Sequence, residues 1–511
     1  MPYPATRLRF HRQQAFADLI RAANRSLAHG EAVHRWRAEK TSFSDPGDLF
    51  FSSTQRCETQ PAAEYLELPE PAVRYLSPLK PGGAALLWDK SFLWGYLAVN
   101  TLRDLGFSFD LLTAEAVRCG ALNGYQLLVV PGGWASLKSQ QLGAAGRGEL
   151  RRFIRRGGGY LGLCGGAGFA LQVDEGLGLL PVTRKPISER LPNFSGSIQV
   201  RSKNDHPFWW GLDNSAFFRV WWPSQFELVQ PDKIRVLGTY GEPGSDFYVS
   251  DLNVCEAEAA ALDWQGLEND YEINLDPERL LNEPAVLEGV YGQGRVVLSY
   301  PHLETPGDDE GNLALFNIWY ELLASSTFTQ ERVANKLGPS TAVPVDGEWM
   351  ERLGEIAKES EDLVKLGQGH NLWSWRNPWL LQWKRGIRGA EYGTIHVLLH
   401  GLVRELQRRG AVLLDPETAT STTVHLEVSQ ISNLWESFRR KSEALVEAEG
   451  LATKSTAHGG NKELSQQVRS LRTEIFDCVD CYGSRSYGGL YRQLLDRIDT
   501  LLLGAFLANM H

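Results

Sequence analysis

The sequence predicts an α/β domain with a mainly parallel sheet flanked by helices, followed by an all-α helical bundle domain. Between residues 84 and 163, short apolar segments alternate with helical patterns. This alternation is typical of strands joined by right-handed crossovers. After about residue 330, apolar residues recur at helical spacing along five segments, as they do in the helices of a bundle.

The length of the chain requires more than one core, since 511 residues exceed an ordinary domain. We predict three parts. Residues 1–80 form an N-terminal helix and linker segment, residues 81–330 form the α/β domain, and residues 331–511 form a C-terminal helical domain of unknown role.

The N-terminal segment carries one helical face, and Gly30 is placed to end that helix. Short strands are expected at residues 32–36 and 48–51. Four prolines then predict an extended linker between residues 69 and 81. The residues of the helical face are Phe16, Leu19, Ile20, Ala23 and Leu27.

The α/β domain is predicted to begin near Gly83, where the proline-rich segment ends and apolar strand patterns begin. Residues 195–300 have a more strand-rich and irregular pattern. The predicted strands are residues 84–88, 107–111, 127–130, 160–163 and 295–300, and the predicted helices are residues 93–105 and 149–155.

Composition limits the classes of partner. The apolar share of 43% and the charged share of 22% are those of a globular protein. The formal charge of −10 argues against a nucleic acid or an anionic membrane as the main partner. No run of 18 apolar residues and no apolar signal core near Met1 is present. We therefore expect a cytoplasmic protein with no nucleic-acid and no membrane partner.

Cysteine and histidine spacing predicts no metal and no cofactor. Six cysteines are few for this length, which fits a reduced compartment. The pair Cys478 and Cys481 has C-x-x-C spacing, but it lacks a second pair, so two helix-packing thiols are the favoured interpretation. His396 and His400 share a helical face without the order H-E-x-x-H, so we expect no metal there.

The strongest chemical signal is a cysteine at a glycine-rich turn. Gly162-Leu163-Cys164-Gly165-Gly166 follows an apolar strand and precedes a helix. This is the geometry of a nucleophile elbow, in which small neighbours tolerate a strained turn. The positive end of the following helix favours the thiolate, and the N–H of Gly165 can help to bind an oxyanion. The competing interpretations are a buried cysteine in a glycine-rich turn and a phosphate loop, which would need G-K-[ST].

A second signal follows the last strand, where His302 and Glu304 are two residues apart. In an extended backbone such residues point to the same side, so the carboxylate can orient the imidazole. A base and its orienting group are what a thiol nucleophile requires. The motif lies at the carboxyl end of a predicted strand, the edge where sites form in parallel sheets.

A third signal is Pro131-Gly132-Gly133, another strand that ends in glycines. A glycine N–H at this point could supply a second donor to an oxyanion. Taken alone, the sequence indicates only a tight turn. Trp221 and Trp222 lie between the cysteine and histidine motifs, where they could wall a pocket, although core packing is favoured.

Three motifs occur in order along the chain: a strand followed by P-G-G, then G-x-C-x-G, then P-H-x-E. This order resembles that of the class I glutamine amidotransferase-like superfamily, over about residues 82–325. Three segments are most similar to the branch named for the N-terminal domain of biotin-protein ligases. These segments are Gly159–Ala167, Asp205–Leu212 and Gly292–Glu304.

The resemblance implies a flavodoxin-like amidotransferase fold and a set of roles. Cys164 is implied as the nucleophile, His302 as general base and acid, and Glu304 as the group that orients His302. The N–H groups of Gly133 and Gly165 are implied as the oxyanion hole.

The sequence also departs from that family. Glutamine-hydrolysing members usually carry Gln four residues after the nucleophile, and Gly168 stands there in this chain. No synthetase or ammonia-accepting domain and no nucleotide loop of a biotin ligase is recognisable. Glutamine hydrolysis and biotin transfer are therefore not implied.

Two hypotheses follow. In the first, the chain is a hydrolase or amidotransferase that attacks an amide or acyl carbon of a small molecule or peptide through a thioester on Cys164. In the second, it is a catalytically inactive binding or scaffolding protein that engages a protein partner through its C-terminal helices. Retention of the three implied catalytic residues favours the first hypothesis, and Gly168 favours the second.

Overall fold

The structure is a computed structural model that describes residues 3–8, 16–41, 44–52, 63–68, 70–203, 205–328, 341–408, 412–415, 421–455, 462–477 and 488–510. It divides into two compact units, Met1–Ala334 and Asn335–His511. The predicted boundary between residues 80 and 81 stays a prediction. Cys57 and the C-x-x-C pair, Cys478 and Cys481, lie outside the described residues.

The first unit opens with a small antiparallel sheet in the order β4-β1-β3-β2-β5. The predicted N-terminal helix is confirmed, and its apolar face is buried. The elements are β1 (Tyr3–Leu8), α1 (Phe16–Ala28), β2 (Val33–Trp36), β3 (Leu49–Ser52), β4 (Ala63–Leu68), α2 (Glu70–Val73) and β5 (Leu76–Pro78).

The prediction of an extended linker at residues 69–81 was wrong. Pro71 lies in the first turn of α2, where a missing N–H costs nothing. Pro78 lies in β5 at the edge of the small sheet, paired with His34, and an edge strand tolerates proline.

The predicted α/β domain follows in the same unit. Its elements are β6 (Ala84–Leu87), α3 (Leu93–Asp104), β7 (Asp110–Leu112), α4 (Ala114–Arg118), β8 (Leu127–Val130), α5 (Ala135–Arg155), β9 (Gly159–Leu163), α6 (Gly165–Phe169), β10 (Val182–Arg184), β11 (Phe194–Ser202), β12 (Ser215–Trp221), β13 (Phe226–Leu228), β14 (Arg235–Pro243), β15 (Tyr248–Val249), β16 (Leu252–Asn253), α7 (Val254–Ala259), α8 (Trp264–Tyr271), β17 (Pro284–Tyr291), β18 (Gly294–Ser299) and α9 (Asp309–Ser325).

The large sheet has the order β16-β15-β11-β14-β17-β18-β9-β8-β6-β7, with β12 paired to β11. Neighbours from β18 to β7 are parallel, and the pairs on the other side of β18 are antiparallel. The predicted mainly parallel sheet flanked by helices is confirmed for this central part. The carboxyl ends of β6, β8, β9 and β18 lie at one edge, so the turns that follow them are brought together.

Two element boundaries differ from the prediction. The strand expected at residues 107–111 begins only at Asp110, because the N–H of Phe107 bonds to Leu102 O and caps α3. The helix expected at residues 149–155 is the last part of α5, which begins at Ala135. Gly143 has non-helical backbone angles inside α5. The helical spacing of apolar residues is interrupted there, so the sequence gives no clear signal for the first half of α5.

The second unit is mainly helical, which confirms the predicted bundle of five helices. Two short antiparallel pairs, β19 with β22 and β20 with β21, were not predicted. No helix in the described part of the chain is long and apolar enough to cross a membrane. The elements are β19 (Thr341–Pro344), α10 (Gly347–Gly369), β20 (Trp373–Asn377), β21 (Leu380–Trp383), α11 (Ala390–Arg408), β22 (Val412–Asp415), α12 (Ser421–Ser455), α13 (Lys462–Phe476) and α14 (Gly489–Met510).

Candidate active site

Cys164 lies on the tight turn between β9 and α6, with φ of 46° and ψ of −103°. A non-glycine residue rarely adopts a positive φ, and such strain concentrates at functional sites. Two backbone hydrogen bonds hold the turn: Cys164 N donates to Ser299 O at 2.7 Å, and Gly168 N donates to Cys164 O at 2.9 Å. The turn is therefore fixed both to the neighbouring strand β18 and to its own helix.

The turn that carries Cys164 requires glycines because the backbone of α6 approaches the ends of neighbouring strands closely. A Cβ atom on Gly162 would lie 2.7 Å from Gly166 O, and a Cβ on Gly166 would overlap Val130 O. Helix α6 thus packs against the ends of β8 and β9 more closely than any side chain permits. This packing directs the amino end of α6 to the position of Cys164.

His302 and Glu304 form a buried pair just beyond the end of β18. His302 Nδ1 lies 2.8 Å from Glu304 Oε1, and the two residues are 1% and 2% exposed. The pair meets in a turn closed by Thr305 N to His302 O at 3.1 Å, and not along an extended strand as predicted. Arg219 O accepts from His302 N at 2.8 Å, so β12 also fixes the position of the histidine.

The electrostatics of His302 link it to both partners. Burial acts to lower the pKa of His302, but the charges and hydrogen bonds of Glu304 and Cys164 outweigh it and raise that pKa to about 10. The contact with the thiol is loosely aligned. His302 Nε2 has no well-formed hydrogen bond among the described residues, and Cys164 Sγ points to Trp221 O at 3.7 Å. Such contacts are often long before a substrate binds.

The two glycines predicted as oxyanion donors lie in adjoining turns. A Cβ on Gly165 would overlap Gly133 O and lie 3.0 Å from Gly133 N. Gly133 has φ of 101°, which glycine alone adopts readily. As the first residue of α6, Gly165 has an N–H without an acceptor inside the helix.

Sequence reasoning missed one aromatic neighbour of His302. Trp94, in the first turn of α3, lies with its ring centroid 4.7 Å from that of His302 and 6.4 Å from that of Trp222. Trp94 and Trp222 are half-buried, whereas Trp221 is in the core as predicted. The only available signal for Trp94 was its position shortly after the end of a predicted strand.

The described residues include no group of three or more His, Cys, Asp or Glu side chains arranged to hold a metal ion. The rings of His396 and His400 lie 4.3 Å apart in the second unit. Burial, with the charge of His400, lowers the pKa of His396 to about 4, and Ser360 Oγ lies 3.1 Å from its Nδ1.

Comparison with known proteins agrees with the resemblance in sequence. The family described as biotin-protein ligase, N terminal, matches residues 122–175, which include the Gly133 turn and the Cys164 elbow. No curated protein sequence matches the chain. The match over residues 122–175 agrees with the resemblance to the biotin-protein ligase N-terminal branch and is limited to that part of the α/β domain.

Several solved structures are similar to the chain at low identity. One is described as a GMP synthase protein from Thermoplasma acidophilum, with 14% identity, 48% of this chain and 95% of that chain covered, and a TM-score of 0.32. A ThuA-like protein from Bacteroides uniformis has 13% identity, coverage of 48% and 93%, and a TM-score of 0.32. A glutamine amidotransferase from Thermotoga maritima has 14% identity, coverage of 47% and 85%, and a TM-score of 0.27.

Proposed function

We propose that the chain is a cysteine-nucleophile amidohydrolase or amidotransferase that acts on an amide or acyl carbon through a thioester. One observation carries the proposal. Cys164, strained at a positive φ, interacts electrostatically with a buried histidine that is itself paired with a carboxylate. A thiol, a base and a group that orients the base are the parts of a nucleophilic site.

The mechanism assigns one step to each group. His302 Nε2 takes the proton of the Cys164 thiol, and the sulfur attacks the amide carbon. The carbonyl oxygen becomes an oxyanion, which the N–H groups of Gly133 and Gly165 stabilise. His302 then gives the proton to the leaving amine, the C–N bond breaks, and a thioester remains. Water or a second amine resolves the thioester after giving a proton to His302, which returns it to the sulfur.

The substrate we propose is an amide of a small molecule or a peptide, and not necessarily glutamine, since Gly168 stands where glutamine-hydrolysing relatives usually have Gln. We propose a cytoplasmic location, because Cys164 and Cys255 form no disulfide among the described residues, as is usual in a reduced compartment.

A second candidate function is binding without catalysis. The thiol of Cys164 points to Trp221 O and not to His302 Nε2 with good geometry, which favours this alternative. In that case the surroundings of Cys164 would bind a small ligand, and the helices of the second unit would bind a protein partner.

Alkylation of Cys164 by iodoacetamide, resolved by peptide mass spectrometry across pH, separates the two candidates. We expect Cys164 to react at least about tenfold faster than the exposed thiol of Cys119 near pH 7. The variant His302→Ala should remove this advantage, while His29→Ala, on an exposed histidine, should keep it. If a variant only restricts the access of iodoacetamide to Cys164, the alkylation rate falls by the same factor at every pH. If a variant removes the activation of the Cys164 thiol, the pH at which the rate rises is shifted.

Three outcomes contradict the proposal: a Cys164 that reacts no faster than Cys119 over the whole pH range, an advantage that survives His302→Ala, or a profile that this variant does not shift. The circular dichroism of each variant should match that of the parent, which shows that the fold is kept.

A further inference from the structure

Arg184 lies beside the elbow helix, on the side where Gly168 has no side chain. A Cβ on Gly168 would lie 3.9 Å from Arg184 Nη2, and Gly168 N itself donates to Cys164 O. Arg184 ends β10, which pairs with β13 so that Arg184 lies opposite Phe226. The guanidinium therefore borders the space that a glutamine-positioning side chain would enter.

A second guanidinium, that of Arg190, lies in the same region. Arg190 Nη1 donates to Ser224 Oγ at 3.0 Å, and its buried Nε has no partner among the described residues. Burial and the charge of Arg184, which is itself exposed, both lower the pKa of Arg190, because each disfavours its charged form.

These two arginines differ from the other arginines near the site. Arg219 forms an ion pair with Asp246 at 2.5 Å, and Arg279 forms one with Glu268 at 3.2 Å. In the part of the chain that the structure describes, neither Arg184 nor Arg190 is paired with a carboxylate. Arg190 Nε is a buried donor without an acceptor, which costs on the order of 1–3 kcal/mol, and an anion from outside would supply that acceptor.

Two buried tyrosines add polar groups to the same region. The hydroxyls of Tyr240 and Tyr300 have no hydrogen-bond partner of good geometry among the described residues, and both side chains are almost fully buried. The ring of Tyr300 stacks on that of Phe226, with centroids 3.9 Å apart. Burial raises the pKa of each hydroxyl, and the charge of Cys164 acts on both in the same direction.

We propose that Arg184 and Arg190 bind an anionic group of the substrate, a carboxylate or a phosphate, and so hold the amide of the same molecule at Cys164. This inference rests on the proposed function. A planar guanidinium binds either anion through paired N–H donors.

The test compares two reagents that alkylate the same sulfur with the same carbon, anionic iodoacetate and neutral iodoacetamide. For each thiol, the measured quantity is the ratio of its iodoacetate rate to its iodoacetamide rate. We expect this ratio to be about tenfold higher for Cys164 than for Cys119. The double variant Arg184→Gln, Arg190→Gln should lose this preference, which is measured as the ratio of the two rates because any change in the thiolate fraction affects both reagents equally. Arg152→Gln, on an exposed arginine of α5 paired with Glu149, is the matched control and should change neither rate.

Protection separates the two anions. Glutarate or inorganic phosphate, present during iodoacetamide treatment, should slow the alkylation of parent Cys164 and leave the double variant unaffected. Protection by glutarate indicates a carboxylate substrate, and protection by phosphate indicates a phosphorylated one.

The anion inference is overturned if iodoacetate shows no preference for Cys164, if neither anion protects it, or if the double variant retains both effects. An iodoacetamide rate that depends on His302 would still support the proposed function in that case. If the iodoacetamide rate of Cys164 does not depend on His302, in contrast, the proposed function itself is contradicted.

Discussion

His302 Nδ1 lies 2.8 Å from Glu304 Oε1, and both side chains are buried. The carboxylate fixes the orientation of the ring and favours its protonated form, which raises the pKa of His302 against the opposing effect of burial. In the proposed function, a protonated His302 favours the reactive form of the Cys164 thiol. The reactivity of the thiol should therefore depend on Glu304 through its contact with His302.

The substitution Glu304→Gln tests this dependence. It keeps the shape of the side chain and removes its charge, so the pKa of His302 should fall and less thiolate should form at neutral pH. We expect the iodoacetamide rate of Cys164 at pH 7 to fall by about tenfold, and the rise of the rate with pH to move to higher pH. The surface variant Glu149→Gln should leave the profile unchanged. A Glu304→Gln profile that overlays the parent would rule out this positioning role.

The close approach of α6 to β8 gives a prediction about stability. Gly166→Ala places a methyl group onto Val130 O, so the helix must move or the turn must unfold. We expect a loss of about 3 kcal/mol or more in the free energy of unfolding, measured by urea denaturation. Gly148→Ala, in α5 with no atom near the new methyl group, should be neutral or slightly stabilising. Equal effects of the two substitutions would contradict this packing.

A buried ion network inside the first unit gives a prediction about pH. Burial alone would raise the pKa of Glu288, but the hydrogen bond from His206 and the charge of Arg295 outweigh it and lower that pKa from 4.5 to about 2. The carboxylate should therefore contribute stability above about pH 4.5, and this contribution should be lost as the pH falls towards 2.

The substitution Glu288→Gln should lower the free energy of unfolding at pH 7 by on the order of 3 kcal/mol. The difference from the parent should shrink as the pH falls below 4.5, which urea denaturation at a series of pH values can follow. Glu242→Gln, at an exposed carboxylate paired with Arg201, is the control and should change stability little. A difference that stays constant down to pH 3 would contradict the network.

Much of the candidate site could be predicted from the sequence because each part is local. A strand that ends in Gly162-Leu163-Cys164-Gly165-Gly166 has its own signal, and so does His302-x-Glu304. The parallel order of the strands then brings these segments to one sheet edge. The small N-terminal sheet was predicted only in part, since β1, β4 and β5 have partners distant in sequence.

Other features have no local signal. Trp94 contacts His302 across more than 200 residues of sequence, and Arg184 reaches the elbow through the pairing of β10 with β13. Tyr240, on β14, comes from a third part of the chain. These contacts depend on strand register and turn geometry, which composition and spacing do not specify.

The sequence by itself determined the fold class, the strand ends at the candidate site and the position of Cys164 on a tight turn, because strand and helix periodicity and glycine-rich turns act over a few residues. Only the tertiary structure decided that His302 and Glu304 meet in a turn and that Arg184 lies beside the helix that follows Cys164. Those relationships arise from long-range packing, in which residues far apart in the chain share one edge of the sheet.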